Sequence, residues 1–143
     1  MELNPAQELM ARGYHCSEAV LLAVCKEMGI ESEFVPRIAT VFAGGMARNG
    51  EVCGAVVGSL MAIGLRHGRN DLDQPELKAH ALGGRLMRDF REEMGALHCR
   101  DLLGMDISTP EGLHTFRSSE LRTTVCLRAV GVAYDKTLEL LRA

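Results

Sequence analysis

The segment spanning residues 52–65 constrains the fold of this chain more than any other. It contains 14 mostly apolar residues, which is shorter than the roughly 20 that cross a membrane. Gly54, Gly58 and Ala62 recur every four residues, so one helix face is small enough for another backbone to approach closely. The sequence therefore predicts a central, buried helix over about residues 52–67, which other elements must cover.

The composition indicates that those other elements are helices too. Hydrophobic residues make up 47% of the chain but aromatic residues only 4%, which favours close-packed helices over a β-sandwich. Start and stop signals predict further helices from Asn4 to Gly13, over residues 16–28, 32–43, 73–94 and 99–103, from Thr109 onwards, and over residues 120–142. We expect an all-α fold in which residues 1–143 form a single compact domain of about six or seven helices.

The charged residues and the first residues of the chain indicate which partners and which cellular compartment to expect. The chain has 16 basic and 19 acidic side chains, a net charge of −3, and no block of like charges. Nucleic acid and acidic membrane surfaces are therefore not expected partners. No basic, apolar leader opens the sequence, so we expect a cytoplasmic protein. The small-residue face of residues 52–65 is compatible with a homodimer, but packing within one chain is the simpler expectation.

The five cysteines are the main candidates for chemistry. None is at C-x-x-C spacing, so any shared cysteine site must be assembled by the fold. Cys16 and Cys25 are nine residues apart and point to opposite sides of a continuous helix, so they cannot join one compact site. Each single cysteine is otherwise read as a small buried hydrophobic residue.

Two of the cysteines lie where a helix is predicted to begin. The free N–H groups at a helix start stabilise a thiolate, so lowered pKa values are expected for Cys16 and Cys53. A glycine-rich segment, residues 44–51, precedes Cys53, and it ends without the Lys-Ser/Thr pair of a phosphate-binding loop. We expect Cys53 to be the most reactive cysteine, Cys16 the next and Cys126, inside a helix, the slowest.

Four stretches of the sequence resemble the C-GCAxxG-C-C family of redox-active proteins. They contain Cys16 in YHCSEAVLLA, Cys53 in FAGGMARNGEVCGAVVGSLMAIGL, Cys99 in HCRDLLG and Cys126 in VCLRAV. The chain reads Cys53-Gly54-Ala55, so the Gly-Cys pair of the family motif is transposed. Cys25 matches none of the four family positions.

The resemblance implies redox activity or a cysteine-bound metal centre. Its site residues would be Cys16, Cys53, Cys99 and Cys126, which would either bind an iron–sulfur cluster or form reversible disulfides that exchange electrons with a redox partner. Cys16 is the preferred disulfide partner of Cys53 if no metal is bound. The cofactor-binding glycines would be Gly44, Gly45 and Gly54, although glycines in the 44–51 segment are equally well explained as turn residues.

Other interpretations remain open at this point. Zinc is less favoured, because zinc ligands usually come in close local pairs. A non-catalytic helical interaction module would use its cysteines only as core residues, so whether the protein is an enzyme is undecided. His15 and His98 directly precede cysteines and are candidate modulators of the adjacent thiols. Four sulfurs near a common point would favour the redox site, and scattered sulfurs would favour the module.

Overall fold

The computed structural model describes residues 2–143 and has the predicted all-α architecture. Its seven α-helices are α1 (Pro5–Ala11), α2 (Cys16–Met28), α3 (Gly54–His67), α4 (Leu77–Met94), α5 (Cys99–Leu103), α6 (Pro110–Arg117) and α7 (Leu127–Arg142). A 3₁₀ helix covers Arg37–Phe42, and a π-helical turn, Arg122–Cys126, runs directly into α7. Over residues 2–143 the only β-type pairing is one isolated antiparallel bridge between Val52 and His98.

Helix α3 is the central element, as the apolar segment predicts. Its first six residues, Gly54 to Ser59, are all buried, and so are Ala62 and Ile63. It packs against α2, α4 and α7. A Cβ atom on Gly58 would lie 2.6 Å from the carbonyl oxygen of Ser17. Helix α2 of the same chain therefore covers the small-residue face, which is the arrangement that the sequence favoured over a dimer contact.

One buried hydrogen bond ties α2 to the 3₁₀ helix. The hydroxyl of Ser17, which is fully buried, donates to the carbonyl oxygen of Ala39 over 2.7 Å. A buried carbonyl without a partner would cost about 1–3 kcal/mol, so this bond fixes the 3₁₀ helix against the start of α2. The segment that follows the 3₁₀ helix is thereby held beside Cys16.

The helix-start signals were confirmed at the beginning of the chain. The backbone N–H of Gln7 donates to Asn4 Oδ1 over 3.0 Å, and the backbone N–H of Asn4 donates to Gln7 Oε1 over 2.9 Å. Helix α2 begins at Cys16 and is followed by the left-handed Gly29, also as expected. These ends are specified by side chains only a few residues apart.

Three predicted helices differ from the structure. Residues 32–43 contain only the 3₁₀ helix, because Pro36 lacks an N–H and disfavours helical geometry before it. Helix α4 begins at Leu77, after the start predicted at residue 73, and no side chain caps it. The Glu76 carboxylate instead lies 3.6 Å from Arg69 and 3.2 Å from His80. The helix expected over residues 120–142 is interrupted by the π-helical turn.

Within residues 2–143, no helix is both long enough and apolar enough to cross a membrane.

Candidate functional site

The glycine-rich segment forms a left-handed turn next to α2. Residues 44–48 have five consecutive positive φ values, of 68, 71, 66, 52 and 65°. The last three belong to Met46, Ala47 and Arg48, for which this conformation costs roughly 1–2 kcal/mol each. The turn is held by backbone hydrogen bonds, including Gly50 N–H to Gly44 O (3.1 Å) and Glu51 N–H to Gly45 O (2.9 Å). Such strain concentrates at functional sites.

A short backbone pairing sets Cys53 beside Cys99. The Cys53 N–H donates to the carbonyl of Leu97 over 2.8 Å, and the Cys99 N–H donates to the carbonyl of Glu51 over 2.7 Å. The Arg100 guanidinium adds a 3.1 Å bond to the carbonyl of Gly50. These contacts join two segments that are almost fifty residues apart in sequence.

Four of the five cysteines line one cavity of about 150 Å³. Cys16 is the first residue of α2, Cys53 immediately precedes α3, Cys99 is the first residue of α5, and Cys126 ends the π-helical turn. Cys25 does not line this cavity and is 3% exposed in the core. The fold thus brings together the four cysteines of the family resemblance and excludes the fifth, whose opposite helix face the sequence had indicated.

Cys16 and Cys53 lie close together in the cavity, and each thiol changes the pKa of the other. The S–H of Cys53 donates to the Cys16 sulfur and is the main cause that lowers the Cys16 pKa to about 7. Burial opposes this effect, while the backbone N–H groups of Gly44 and Ser17 add to it. The same bond, followed by burial and the Cys16 charge, raises the pKa of Cys53 well above its ordinary value. The two thiols therefore share one proton and titrate as a coupled pair.

This proton distribution corrects the expectation that Cys53 would be the most reactive thiol. Both cysteines lie at a helix start, as predicted, but Cys53 accepts only from the backbone N–H of Ala55. Cys16 receives the Cys53 proton and also the N–H of Gly44 from the left-handed turn. The glycine-rich segment does place a backbone N–H, that of Gly44, against a cysteine sulfur, but this sulfur belongs to Cys16 and not to Cys53.

The other two cysteines of the cavity are neutral at pH 7. Burial, together with the Cys16 charge, raises the pKa of Cys99 to about 11. Burial and the charges of Cys16 and Cys99 raise that of Cys126 to about 12. Because the thiolate is the nucleophile, the slow reaction expected of Cys126 agrees with its environment.

Comparison with protein families gives one match. The model of the family C_GCAxxG_C_C, described as "Putative redox-active protein", matches residues 14–140. The chain belongs to the C_GCAxxG_C_C family. The matched range contains all four cysteines of the cavity, so the family description applies to the part of the chain that builds it. Comparisons with curated proteins and with solved structures find no match.

The glycines of this C_GCAxxG_C_C chain permit close approaches to the sulfurs. A Cβ atom on Gly54 would lie 2.7 Å from Cys16 Sγ and 2.9 Å from the carbonyl oxygen of Phe42. A Cβ atom on Gly45 would lie 2.8 Å from that of Cys99. Gly44 supplies an N–H to Cys16. All three glycines singled out by the sequence therefore lie directly beside site cysteines.

A bound metal was tested against the same geometry. Thiolates are soft ligands that suit iron–sulfur clusters and zinc. Nevertheless, throughout residues 2–143 no three Cys, His, Asp or Glu side chains are placed so that they could hold a metal ion. The donor chemistry fits such a centre, but the side chains are not placed to hold a single ion.

Several residues of the cavity were missed by the sequence reasoning. Three arginines, Arg48, Arg117 and Arg122, come from separate segments and meet only in the fold. Of the two candidate modulators, His15 lines the cavity and His98 does not. Apolar side chains form most of the remaining wall: Met10, Leu102, Leu103, Ile107, Leu113, Phe116 and Val125. The only local signal was Arg122, which precedes Cys126 by about one helical turn.

Proposed function

We propose that this member of the C_GCAxxG_C_C family is a dithiol redox protein, in which Cys16 is the attacking thiol and Cys53 the resolving thiol. One observation carries the proposal: the two thiols line the same cavity, and the thiol of Cys53 is the main cause that lowers the Cys16 pKa to about 7. At neutral pH a large fraction of Cys16 is then thiolate, which is the form that attacks disulfides.

The reaction is a two-step thiol–disulfide exchange. The Cys16 thiolate attacks one sulfur of a disulfide R–S–S–R, so a Cys16–S–S–R bond forms, the R–S–S–R bond breaks, and one R–S⁻ leaves. Cys53 gives up its proton to that leaving thiolate, and its own sulfur then attacks Cys16 Sγ. The second R–S⁻ leaves and takes a proton from water. The protein dithiol is oxidised by two electrons and R–S–S–R is reduced to two thiols.

The pair is arranged so that Cys53 becomes reactive only in the second step. Its raised pKa results first from the hydrogen bond to Cys16 and also from the Cys16 charge. Both causes disappear once the Cys16 sulfur is part of a mixed disulfide, because that sulfur no longer carries a negative charge, and burial then remains as the main cause that raises the Cys53 pKa. The N–H of Ala55 remains to stabilise the Cys53 thiolate. This difference between the two thiols supports the proposed order, in which Cys16 attacks first and Cys53 second.

The interaction module with core cysteines is less well supported. A core cysteine needs no hydrogen-bonded thiol partner and no strained turn aimed at its sulfur. Cys25 shows what such a residue looks like here: it lies in the core, and burial alone raises its pKa. Cys16 differs from Cys25 in each of these respects.

An iron–sulfur cluster bound by all four cysteines is the second candidate. Four thiols around one cavity favour it, since such clusters are usually held by four thiolates. Among residues 2–143 no group of side chains is placed to hold a single metal ion, so this candidate rests on the four thiols alone. Anaerobic purification followed by iron, sulfide and zinc analysis separates the two candidates. Near-stoichiometric iron and sulfide with a visible absorption band would favour the cluster over the dithiol.

The dithiol proposal is tested by mapping the disulfide that forms. The reduced protein is exposed to bis(2-hydroxyethyl) disulfide, and the remaining free thiols are alkylated at acid pH so that disulfides do not rearrange. Peptides are then analysed by mass spectrometry. We expect a Cys16–Cys53 disulfide as the main product. The variant Cys53→Ser should accumulate the mixed disulfide on Cys16, and Cys25→Ser serves as the matched control that behaves like the wild type. A main product linking any other pair would contradict the proposal.

A further inference from the structure

The cavity around Cys16 and Cys53 is basic in a chain that is acidic overall. Three arginines line it, and no Asp or Glu is among its lining residues, although the chain has 19 acidic and 16 basic side chains. Within the part of the chain that the structure describes, neither Arg48 nor Arg117 forms an ion pair or a side-chain hydrogen bond. Their charges are therefore available to a ligand in the cavity.

Arg122 differs from the other two because it is fixed. Its guanidinium donates to the carbonyl oxygens of Met10 (3.3 Å) and Tyr14 (3.0 Å). Both acceptors are neutral, so the positive charge is not cancelled. It lies near enough to Cys126 to oppose the rise of that pKa. The cavity thus has one fixed cation on its wall, while Arg48 and Arg117 are exposed residues at its solvent side.

The rest of the wall limits what a ligand can be. Apart from the cysteines, His15 and the arginines, the lining is mostly apolar, with Leu103, Ile107 and Phe116 among the larger side chains. A volume of about 150 Å³ suits a small molecule or one arm of it. Guanidinium groups bind carboxylates through paired, charge-assisted hydrogen bonds. The matching ligand has a short apolar body and a carboxylate at its outer end.

We propose that the cavity selects small disulfides that carry carboxylates over neutral and cationic disulfides of the same size, with Arg48 and Arg117 holding the carboxylate. This selectivity rests on the dithiol function proposed above. The exchange itself is unchanged: the reduced Cys16–Cys53 pair and one R–S–S–R give the Cys16–Cys53 disulfide and two R–SH, where each R ends in a carboxylate.

The expected size of the effect follows from electrostatic attraction at a cleft. A cleft lined by charges of one sign increases the association rate of an oppositely charged ligand by about 10- to 1,000-fold. Two exposed arginines belong at the lower end, so we expect about tenfold faster reaction with a dianionic disulfide than with a neutral one. A dicationic disulfide should react more slowly than the neutral one. Salt at about 1 M, where the screening length is about 3 Å, should largely remove these differences.

The test uses three disulfides of similar length. The reduced protein is mixed with 3,3′-dithiodipropionate, bis(2-hydroxyethyl) disulfide or cystamine, and formation of the Cys16–Cys53 disulfide is followed by acid quench and mass spectrometry. Each rate is divided by the rate at which dithiothreitol, an uncharged dithiol, reduces the same disulfide, which removes differences in intrinsic reactivity. The expected order is anionic, then neutral, then cationic.

Two double variants assign the selectivity to the arginines. Arg48→Gln with Arg117→Gln should reduce the preference for the anionic disulfide about tenfold. Arg66→Gln with Arg91→Gln removes the same charge from residues that do not line the cavity and should keep the preference. Equal normalised rates for all three disulfides, or an unchanged preference in the first double variant, would overturn the selectivity alone. If none of the three disulfides produced a Cys16–Cys53 bond, the dithiol function itself would fail.

Discussion

Replacing Cys53 with alanine tests the claim that its S–H group holds Cys16 as a thiolate. The hydrogen bond from Cys53 is the largest cause that lowers the Cys16 pKa from 9.0 to about 7, and burial acts in the opposite direction. Without the donor, burial still raises the Cys16 pKa and the backbone N–H groups of Gly44 and Ser17 still lower it, so the pKa should rise towards its ordinary value of 9.0. The variant Cys53→Ser keeps an O–H donor at the same position, so it should keep a lowered pKa.

The consequence for reactivity can be worked out at pH 7. A thiol whose pKa rises from about 7 to about 9 falls from roughly half to roughly 1% thiolate, a loss of about 50-fold. The more basic thiolate is about six- to tenfold more nucleophilic, given a Brønsted coefficient of about 0.4–0.5. The Cys53→Ala variant should therefore react about five- to eightfold more slowly at pH 7. Above pH 9 it should react faster than the wild type.

The assay is the pH dependence of Cys16 alkylation by iodoacetamide, resolved by peptide mass spectrometry. The wild type and Cys53→Ser should reach half of their maximal rate near pH 7, and Cys53→Ala at a higher pH, by up to about two pH units. The sign follows from thiolate formation, because the rate increases as pH rises through the folded-state pKa. An unchanged midpoint in Cys53→Ala would refute the hydrogen-bond explanation. A midpoint in Cys53→Ser as high as in Cys53→Ala would refute it equally.

Three further predictions concern the surroundings of the pair. Cys99→Ser and Cys126→Ser should each form the functional disulfide at a rate within about twofold of the wild type, measured by quenched mass spectrometry, because neutral thiols do not compete for it. Gly54→Ala should lower the free energy of unfolding in urea by about 1–3 kcal/mol, because the added Cβ overpacks against Cys16 Sγ. Gly64→Ala has nothing within 4 Å of the added Cβ and should raise this free energy by up to about 1 kcal/mol. Equal effects of the two substitutions would contradict the packing argument. Ser17→Ala should cost about 1–3 kcal/mol in the same measurement, since a buried carbonyl loses its donor, and an unchanged urea midpoint would show that the carbonyl finds another partner.

The features that the sequence predicted depend on neighbouring residues. The capping box at Asn4 and the helix start at Cys16 are written within a few positions, and so is the small-residue face of α3. The separation of Cys25 from the site follows from helical geometry alone. The composition favours helices over a β-sandwich because the shape of each side chain affects the conformation of its own backbone. Local physics was therefore enough for the fold class and for several helix ends.

The tertiary structure decided which thiol holds the charge and what surrounds it. Local criteria place both Cys16 and Cys53 at a helix start and favour Cys53, whereas the contact between the two thiols and the N–H of Gly44 give the lowered pKa to Cys16. The left-handed residues 46–48 have side chains that disfavour that conformation, so only long-range bonds can hold them there. Arg48, Arg117 and Arg122 meet at one cavity only after α6 and the π-helical turn have packed beside the start of α2. Proton sharing and charge clustering depend on distances between residues far apart in the chain, and packing sets those distances.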